Sequence, residues 1–307
     1  MIKKVPLGNS AVRVPAVAVG CMRVGGMETD ALASYLELCV ENGLNFFDHA
    51  DIYGGGQCET KFAEAFKKTG LRREDVILQS KCAICPGRMY DFTKEHILSA
   101  VDGILMRLDT DYLDVLLLHR PDALVEPEEV AEAFDRLESA GKVRRFGVSN
   151  HRPYQIELLK KCVRQEIAVN QLQLSIPFSG MIAAGMEANM LTDGAADRDG
   201  GILDYCRLHD ITIQAWSPFQ YGFFEGVFIG SEKYPKLNQV LNELGEVYGV
   251  TPTGIATAWI LRHPAKIQMI AGTTNPGRMK EIIAGSQITL TREEWYKLYL
   301  SSGHILP

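Results

Sequence analysis

No apolar run in this 307-residue chain approaches the roughly 20 residues that a membrane-spanning helix needs. The opening Met1-Ile2-Lys3-Lys4-Val5-Pro6 lacks the apolar stretch of a secretory signal. A basic surplus is also missing. Lys and Arg number 32 against 38 Asp and Glu, a formal net charge of −6, and Arg144-Arg145 and Lys160-Lys161 are isolated pairs. Neither nucleic acid nor an anionic membrane surface is therefore an expected partner. The seven cysteines are an odd number spread along the chain, which argues for reduced thiols in a cytoplasmic setting over a disulfide framework. No G-x-G-x-x-G occurs; Gly54-Gly55-Gly56 fails the spacing, so a Rossmann reading lacks its main signature. Cys82-Ala83-Ile84-Cys85 has no second pair at zinc-finger distance, and Asp193, Asp197 and Asp199 fail the calcium-loop pattern. No metal site is expected, and Cys82 and Cys85 are read as buried or loop thiols.

What is present is alternation. Strand-like runs at 16–20, 44–47, 76–80, 115–118, 143–148, 167–170, 211–215 and 267–271 are separated by helical patterns such as 30–41, 93–108, 127–140 and 153–162. Pro127 and Pro153 stand where helices begin; Gly43 and Gly141 stand where they end. Eight such units without a break in composition predict a (β/α)₈ barrel, a single domain over 1–307. Residues 2–14 read as a β-hairpin around Gly8-Asn9-Ser10, a plug at the barrel bottom or an extension of its edge. Two connections, 172–200 after the sixth strand and 217–234 after the seventh, exceed the usual length and are expected to rise over the rim as binding loops.

The C-terminal ends of barrel strands form the rim on which barrel enzymes do their chemistry. The second run delivers Asp48 and, five residues later, Tyr53; the third delivers Lys81; the fourth delivers His119. Together these groups suggest proton transfer. Tyr53 is the expected general acid. A free phenol has a pKa of about 10, and an ammonium beside it would stabilise the phenolate and lower that value. Asp48 would hold Lys81 in place. His119 would orient a carbonyl oxygen or share its proton with Tyr53. Each residue alone has a plainer reading as a turn or structural side chain; four of them at the ends of successive strands do not.

With these residues in view, the chain resembles the aldo-keto reductase superfamily, and most nearly the bacterial YdhF-type oxidoreductases. The resemblance covers nearly the whole length. It rests on Asp48, Tyr53, Lys81 and His119 in that order, on Asp-His-Ala-Asp-Ile-Tyr-Gly-Gly at 48–55, on Cys58-Glu59, and on His119-Arg120-Pro121-Asp122. It rests too on Gly-Val-Ser-Asn at 147–150, Gln171, Trp216-Ser217-Pro218, and Gly272-Thr273-Thr274 with Arg278 and Glu281.

The resemblance implies reduction of an aldehyde or ketone by hydride from NADPH, with NADH possible, and with Tyr53 supplying the proton. It also implies a cofactor site at Gly20, Cys21, Met22, Ser149, Asn150, Gln171, Trp216, Ser217, Pro218, Gly272, Thr273, Thr274, Arg278 and Glu281. Pro276 begins a helix whose free N–H groups favour a phosphate, and Arg278 in its first turn can fork onto a 2′-phosphate. Two departures bear on this: Gly272 stands where a Lys is common, and Ile282 where an Asn is common. Met22, Arg23, Tyr90, Arg120, Phe219 and Tyr221 are expected to line the pocket of a small carbonyl substrate. A reductase-like barrel serving as a cofactor-bound regulatory subunit with slow turnover is the alternative, and the oligomeric state is open.

Overall fold

The computed structural model describes residues 2–306, and its centre is a closed eight-stranded parallel barrel. The barrel strands are β1 (Val17–Gly20), β2 (Phe46–Asp48), β3 (Ile77–Cys82), β4 (Val115–Leu118), β5 (Phe146–Ser149), β6 (Ile167–Gln173), β7 (Thr212–Trp216) and β8 (Gln268–Ala271). Each pairs with its neighbours in sequence, and β8 closes on β1 through Met269↔Val17. The (β/α)₈ expectation is met. All strands but the fourth shift at one end or both from the sequence reading, the sixth running on to Gln173. The third reaches Cys82, so Lys81 stands within the strand, and the fifth begins at Phe146, with Val143 held only by an isolated bridge to Leu113.

Side chains alternate between barrel interior and surrounding helices, as the pleat requires. In β4, Val115 and Leu117 pack inside with Phe46, Ala168 and Val169, whereas Leu116 and Leu118 join the larger core beneath the helices. Space inside is tight at Gly147, where a Cβ would stand 2.7 Å from a Leu117 methyl and 2.8 Å from the Val169 carbonyl. The hairpin of Lys4–Pro6 with Arg13–Pro15 plugs the N-terminal end of the barrel. Val5, Leu7 and Val14 bury against that interior cluster, and the Gly8 amide donates to Thr212 Oγ1 at 2.8 Å.

Eleven α-helices lie among the described residues, and their sequences explain their placing. Pro127–Ser139 begins with proline and two glutamates at its positive end and buries Val130, Ala133, Phe134 and Leu137 at helical spacing. Pro252–Arg262 and Arg292–Ser301 are joined by a reciprocal pair: Trp259 Nε1 donates to the Trp295 carbonyl and Trp295 Nε1 to the Trp259 carbonyl, both at 3.1 Å, over stacked rings 4.8 Å apart. No described helix is long and apolar enough to cross a membrane. Both long connections carry structure of their own. Residues 172–200 contain the helix Gly180–Met186, and 217–234 contain a short hairpin, Gln220–Tyr221 with Gly226–Val227. A second rim hairpin, Ile84–Cys85 with Met89–Tyr90, was not apparent in the sequence.

Candidate active site

The C-terminal rim opens into a cleft of about 810 Å³. Lys81 lies beneath its floor, fully buried. Strand parity places Gln79 and Lys81 on the inward face of β3, and the register sets Asp48 level with Gln79. The ammonium spends all its donors. It reaches the Asp48 carboxylate at 2.8 and 2.9 Å, the His49 carbonyl at 2.7 Å and the Tyr53 hydroxyl oxygen at 3.1 Å. Burial pulls the Lys81 pKa down, but the Asp48 carboxylate and the Tyr53 oxygen outweigh it, so the group stays charged, above its ordinary value.

Tyr53 requires a correction. Lys81 does lower its pKa, as the sequence suggested, yet desolvation is the larger effect and Asp48 adds to it, so the phenol lies above 10. The resting hydroxyl therefore keeps its proton near neutrality. The Tyr53 and His119 rings meet edge-on, 6.1 Å between centroids, and both line the cleft. Burial first, then Lys81 and Arg120, hold the His119 pKa well below 6.5. The ring is neutral and has one N–H to give; of the two roles open to it, orienting an oxygen fits best. After Tyr53 the chain turns sharply through Gly54, Gly55 and Gly56, with φ of 58°, 63° and 91°, a left-handed run that glycine adopts without strain.

Beneath the tetrad runs a buried amide network that sequence reasoning missed. Gln79 Nε2 and Gln171 Nε2 both donate to Asp48 Oδ1, at 2.6 and 3.0 Å, and both reach Gln214 Oε1. Gln214 Nε2 donates to Gln79 Oε1 and Gln268 Oε1, and Gln268 Nε2 ends on the Pro15 carbonyl at 2.7 Å. The register Gln171↔Gln214↔Gln268 puts these residues in one layer of the barrel. A faint signal existed: a glutamine recurs within four of the strands.

The remaining rim residues form a polar strip beside an aromatic wall. Trp216 Nε1 donates to Asn150 Oδ1 at 3.1 Å, Asn150 Nδ2 to Ser149 Oγ at 2.8 Å, and Ser149 Oγ to the Gln171 carbonyl at 2.9 Å. Phe224 stacks on Trp216 and Phe223 meets it edge-on. Gly20, Met22, Ser149, Asn150, Gln171, Trp216, Ser217, Pro218, Gly272, Thr273 and Arg278 all face the cleft, as do Arg23, Tyr90, Arg120 and Phe219.

Four expected residues do not. Cys21 is wholly buried, and its backbone amide is spent on the Asp48 carbonyl. Thr274 is not among the lining residues. Glu281 accepts from Thr251 Oγ1 at 3.2 Å instead. Tyr221 packs on Tyr234, 5.3 Å between centroids, leaving the wall to Phe223 and Phe224. Gln220, Ile84 and Thr253 face the cleft without having been foreseen.

The cleft suits a dinucleotide. Arg278, in the first turn of Pro276–Gly285, is exposed with no acid in ion-pair reach among the described residues. A side chain at Gly272 would meet nothing within 4 Å, so the surface there is open to a large ligand. Gln171 has both amide hydrogens committed inward, and its side-chain Oε1 accepts from no described residue.

The two cysteines of the C-x-x-C part company. Cys82 ends β3 in the core beneath the helices, its thiol pushed well above its usual pKa by desolvation. Cys85 lies half-buried on the rim hairpin, where Cys85, Asp91 and His96 each bring one potential ligand atom within 4.8 Å of the others.

A profile of the aldo/keto reductase family matches residues 16–299. The uncharacterized oxidoreductase YcsN of Bacillus subtilis is 36% identical over 289 residues, covering 90% of each chain. A 6-dehydroglucose reductase of Agrobacterium fabrum is 33% identical, covering 95% of each, and the oxidoreductase YdhF of Escherichia coli 30% identical, covering 97% of each. Among solved structures, an aldo-keto reductase from Klebsiella pneumoniae in complex with NADPH superposes with a TM-score of 0.77 at 25% identity, over 97% of this chain and 94% of that one.

Proposed function

The chain belongs to the aldo/keto reductase family, and from that premise we propose that it is an NADPH-dependent reductase of aldehydes or ketones. The observation that carries this reading is the Lys81 ammonium, bridged to Asp48 on one side and to the Tyr53 oxygen at 3.1 Å on the other, directly under the cleft.

Ser149, Asn150 and Gln171 would hold the nicotinamide end beside Trp216, and Arg278 with the open backbone at Gly272 and Thr273 would hold the phosphate end. The bound cofactor supplies the hydride. The protein's share is the proton and the placement of the substrate. The carbonyl oxygen lies between the Tyr53 hydroxyl and the neutral His119 ring, whose N–H orients it. Tyr53 gives up its proton as negative charge develops on that oxygen. The phenolate this leaves is stabilised by an ammonium that is already in place and needs no reorganisation. Asp48 keeps Lys81 charged and aimed, and the glutamine layer keeps Asp48 in position. The aromatic wall of Trp216, Phe223 and Phe224 excludes water from one side.

The regulatory-subunit alternative would retain the same aligned acid and ammonium while turning over slowly, so single-turnover against steady-state rates, and not this geometry, separate the two. Tyr53→Phe removes one hydroxyl and tests the proposal. Cofactor affinity, read by fluorescence quenching, should stay near wild type. Turnover of a carbonyl panel that includes 4-nitrobenzaldehyde and 6-dehydroglucose should fall by about 10²-fold or more. Turnover within a few-fold of wild type would remove Tyr53 from the role of acid.

A further inference from the structure

Although the chain carries a net charge of −6, its cleft is lined by three guanidinium groups, Arg23, Arg120 and Arg278, and by a single carboxylate, Asp48. That carboxylate is fully engaged by Lys81, Gln79 and Gln171. Two of the cations belong to the β8 end. Arg278 opens the helix that follows β8, and Arg23 Nη1 donates to the Gly272 carbonyl at 3.2 Å. Both lie where the phosphates of a dinucleotide are expected. Arg120 stands apart, directly after His119 at the end of β4, between Tyr90 and Phe223, whose ring centre is 5.9 Å from its guanidinium carbon.

Arg120 is half-buried and has no hydrogen-bond acceptor among the described residues. No carboxylate comes within ion-pair distance of it, and no hydrogen bond from its guanidinium is made to the described residues. The two acids that might have neutralised it are occupied elsewhere. Asp122 accepts from the Phe92 and Leu124 amides, both at 2.9 Å. Asp51 has Glu59, Arg107 and Lys81 as its charged neighbours. Desolvation accordingly lowers the Arg120 pKa, with Tyr90 opposing. A guanidinium that has lost part of its water and gained no acceptor is costly to the folded protein. Its five donors are suited to a carboxylate, sulfonate or phosphate held in two places.

We propose that Arg120 is an anion subsite of the substrate cleft, so that the physiological substrate is a carbonyl compound bearing a carboxylate, sulfonate or phosphate away from the reacting carbon. This rests on the carbonyl-reductase reading above and names its substrate class. The reacting oxygen meets Tyr53 and His119, the anion meets Arg120, and Tyr90, Ile84 and Phe223 sheathe the carbon framework between them.

The test uses pairs of substrates with the same reacting carbonyl: 4-formylbenzoate against its methyl ester, 4-formylbenzenesulfonate against its sulfonamide, and glyceraldehyde 3-phosphate against glyceraldehyde. Wild type should favour the charged member of at least one pair by about tenfold or more in kcat/KM, and the preferred pair identifies the anion. Arg120→Gln should lose about tenfold to hundredfold more on that charged member than on its neutral partner, mostly in KM. Arg120→Lys should retain part of the preference, and 0.5 M NaCl should narrow it. Equal use of both members by wild type, or an equal loss on both in Arg120→Gln, overturns the proposal.

A binding arm does not depend on turnover. With NADP⁺ present, calorimetry should show 4-(hydroxymethyl)benzoate binding about tenfold more tightly than 1,4-benzenedimethanol to wild type, and equally weakly to Arg120→Gln. Absence of turnover with every aldehyde would count against the reductase reading, while the calorimetric comparison would still decide for or against the anion subsite.

Discussion

The Nζ of Lys81 lies 3.1 Å from the Tyr53 hydroxyl oxygen, and neither group can be understood without the other. Burial lowers the pKa of the ammonium and raises that of the phenol, and each partner acts against what burial does to its neighbour. Removing the ammonium in Lys81→Met should lower kcat by about 10²-fold or more, because the phenolate would form in a desolvated site with no cation beside it. The same change strands the buried Asp48 carboxylate, a loss of about 3–5 kcal/mol for a broken buried pair. Lys81→Met/Asp48→Asn should recover much of the stability and none of the activity. Thermal unfolding and turnover measured on both variants separate the two effects. An active double variant would show that the ammonium is structural.

The glutamine layer makes a second prediction, about stability. Gln214 satisfies Gln79, Gln171 and Gln268 at once. Gln214→Leu leaves three buried amides short of a partner, at about 1–3 kcal/mol each. It should lower the melting temperature more than Leu172→Ala, a larger cavity in apolar surroundings at the barrel wall. Because Asp48 loses neighbours that are held in register, kcat should fall as well, by less than in Lys81→Met. A neutral effect on both would mean that the layer reorganises around water.

How much of this was legible in the chain depends on periodicity. Asp48, Lys81 and His119 end apolar runs, and a residue at the end of a run in a parallel barrel has one rim to occupy. The fold and the tetrad follow from that. Gln79, Gln214 and Gln268 sit inside runs, where a polar residue reads as the solvent side of a half-exposed strand; only closure of the sheet turns that side inward. The loop after the seventh strand was legible in part. Phe219 faces the cleft as expected, but the turn of the short hairpin decides which further rings face in, and it selects Phe223 and Phe224 over Tyr221. The net rise in the Tyr53 pKa was beyond sequence altogether, because it is a balance between burial and one neighbouring cation.

Asp51 gives a pH signature. Desolvation and the neighbouring Glu59 raise its pKa from 3.8 to about 7. The folded state therefore holds a proton that the unfolded chain has lost between about pH 4 and 7, so this contribution to stability is complete below that window and disappears as pH rises through 7. Asp51→Asn should melt a few degrees above wild type at pH 8, with the gap closing towards pH 5. Activity should show little other dependence from pH 6 to 9, because His119 is already neutral and Tyr53 is still protonated across that range. An equal melting difference at pH 5 and pH 8 would mean that Asp51 titrates normally.

For the cysteines the expectation is negative and concrete. Cys82→Ser/Cys85→Ser should keep reductase activity within about threefold under reducing conditions, since Cys82 is a buried thiol and Cys85 sits on a hairpin outside the tetrad. Zinc content measured alongside covers the grouping of Cys85, Asp91 and His96. One zinc per chain in wild type, absent from the variant, would overturn the reading of both thiols as inert.

Cofactor choice turns on one exposed guanidinium. Arg278 can pair bidentately with a 2′-phosphate, a charge-assisted contact of roughly 1.5–3 kcal/mol, or about tenfold to hundredfold in favour of NADPH. Exposure and the absence of a cation at 272 place the preference near the lower end, so NADH should remain usable. Arg278→Ala should weaken NADPH binding by about tenfold and leave NADH nearly unchanged, since only NADPH carries the phosphate. A side chain at Gly272 has open space around its Cβ, so Gly272→Lys should fold normally and strengthen the preference by several-fold. Added salt should weaken the wild-type preference, because an exposed contact is screened. Titration of both cofactors into the three proteins decides the matter: if Arg278→Ala lowers both affinities together, the residue holds the helix start rather than the 2′-phosphate, and the preference for NADPH has no remaining source at this end of the cleft.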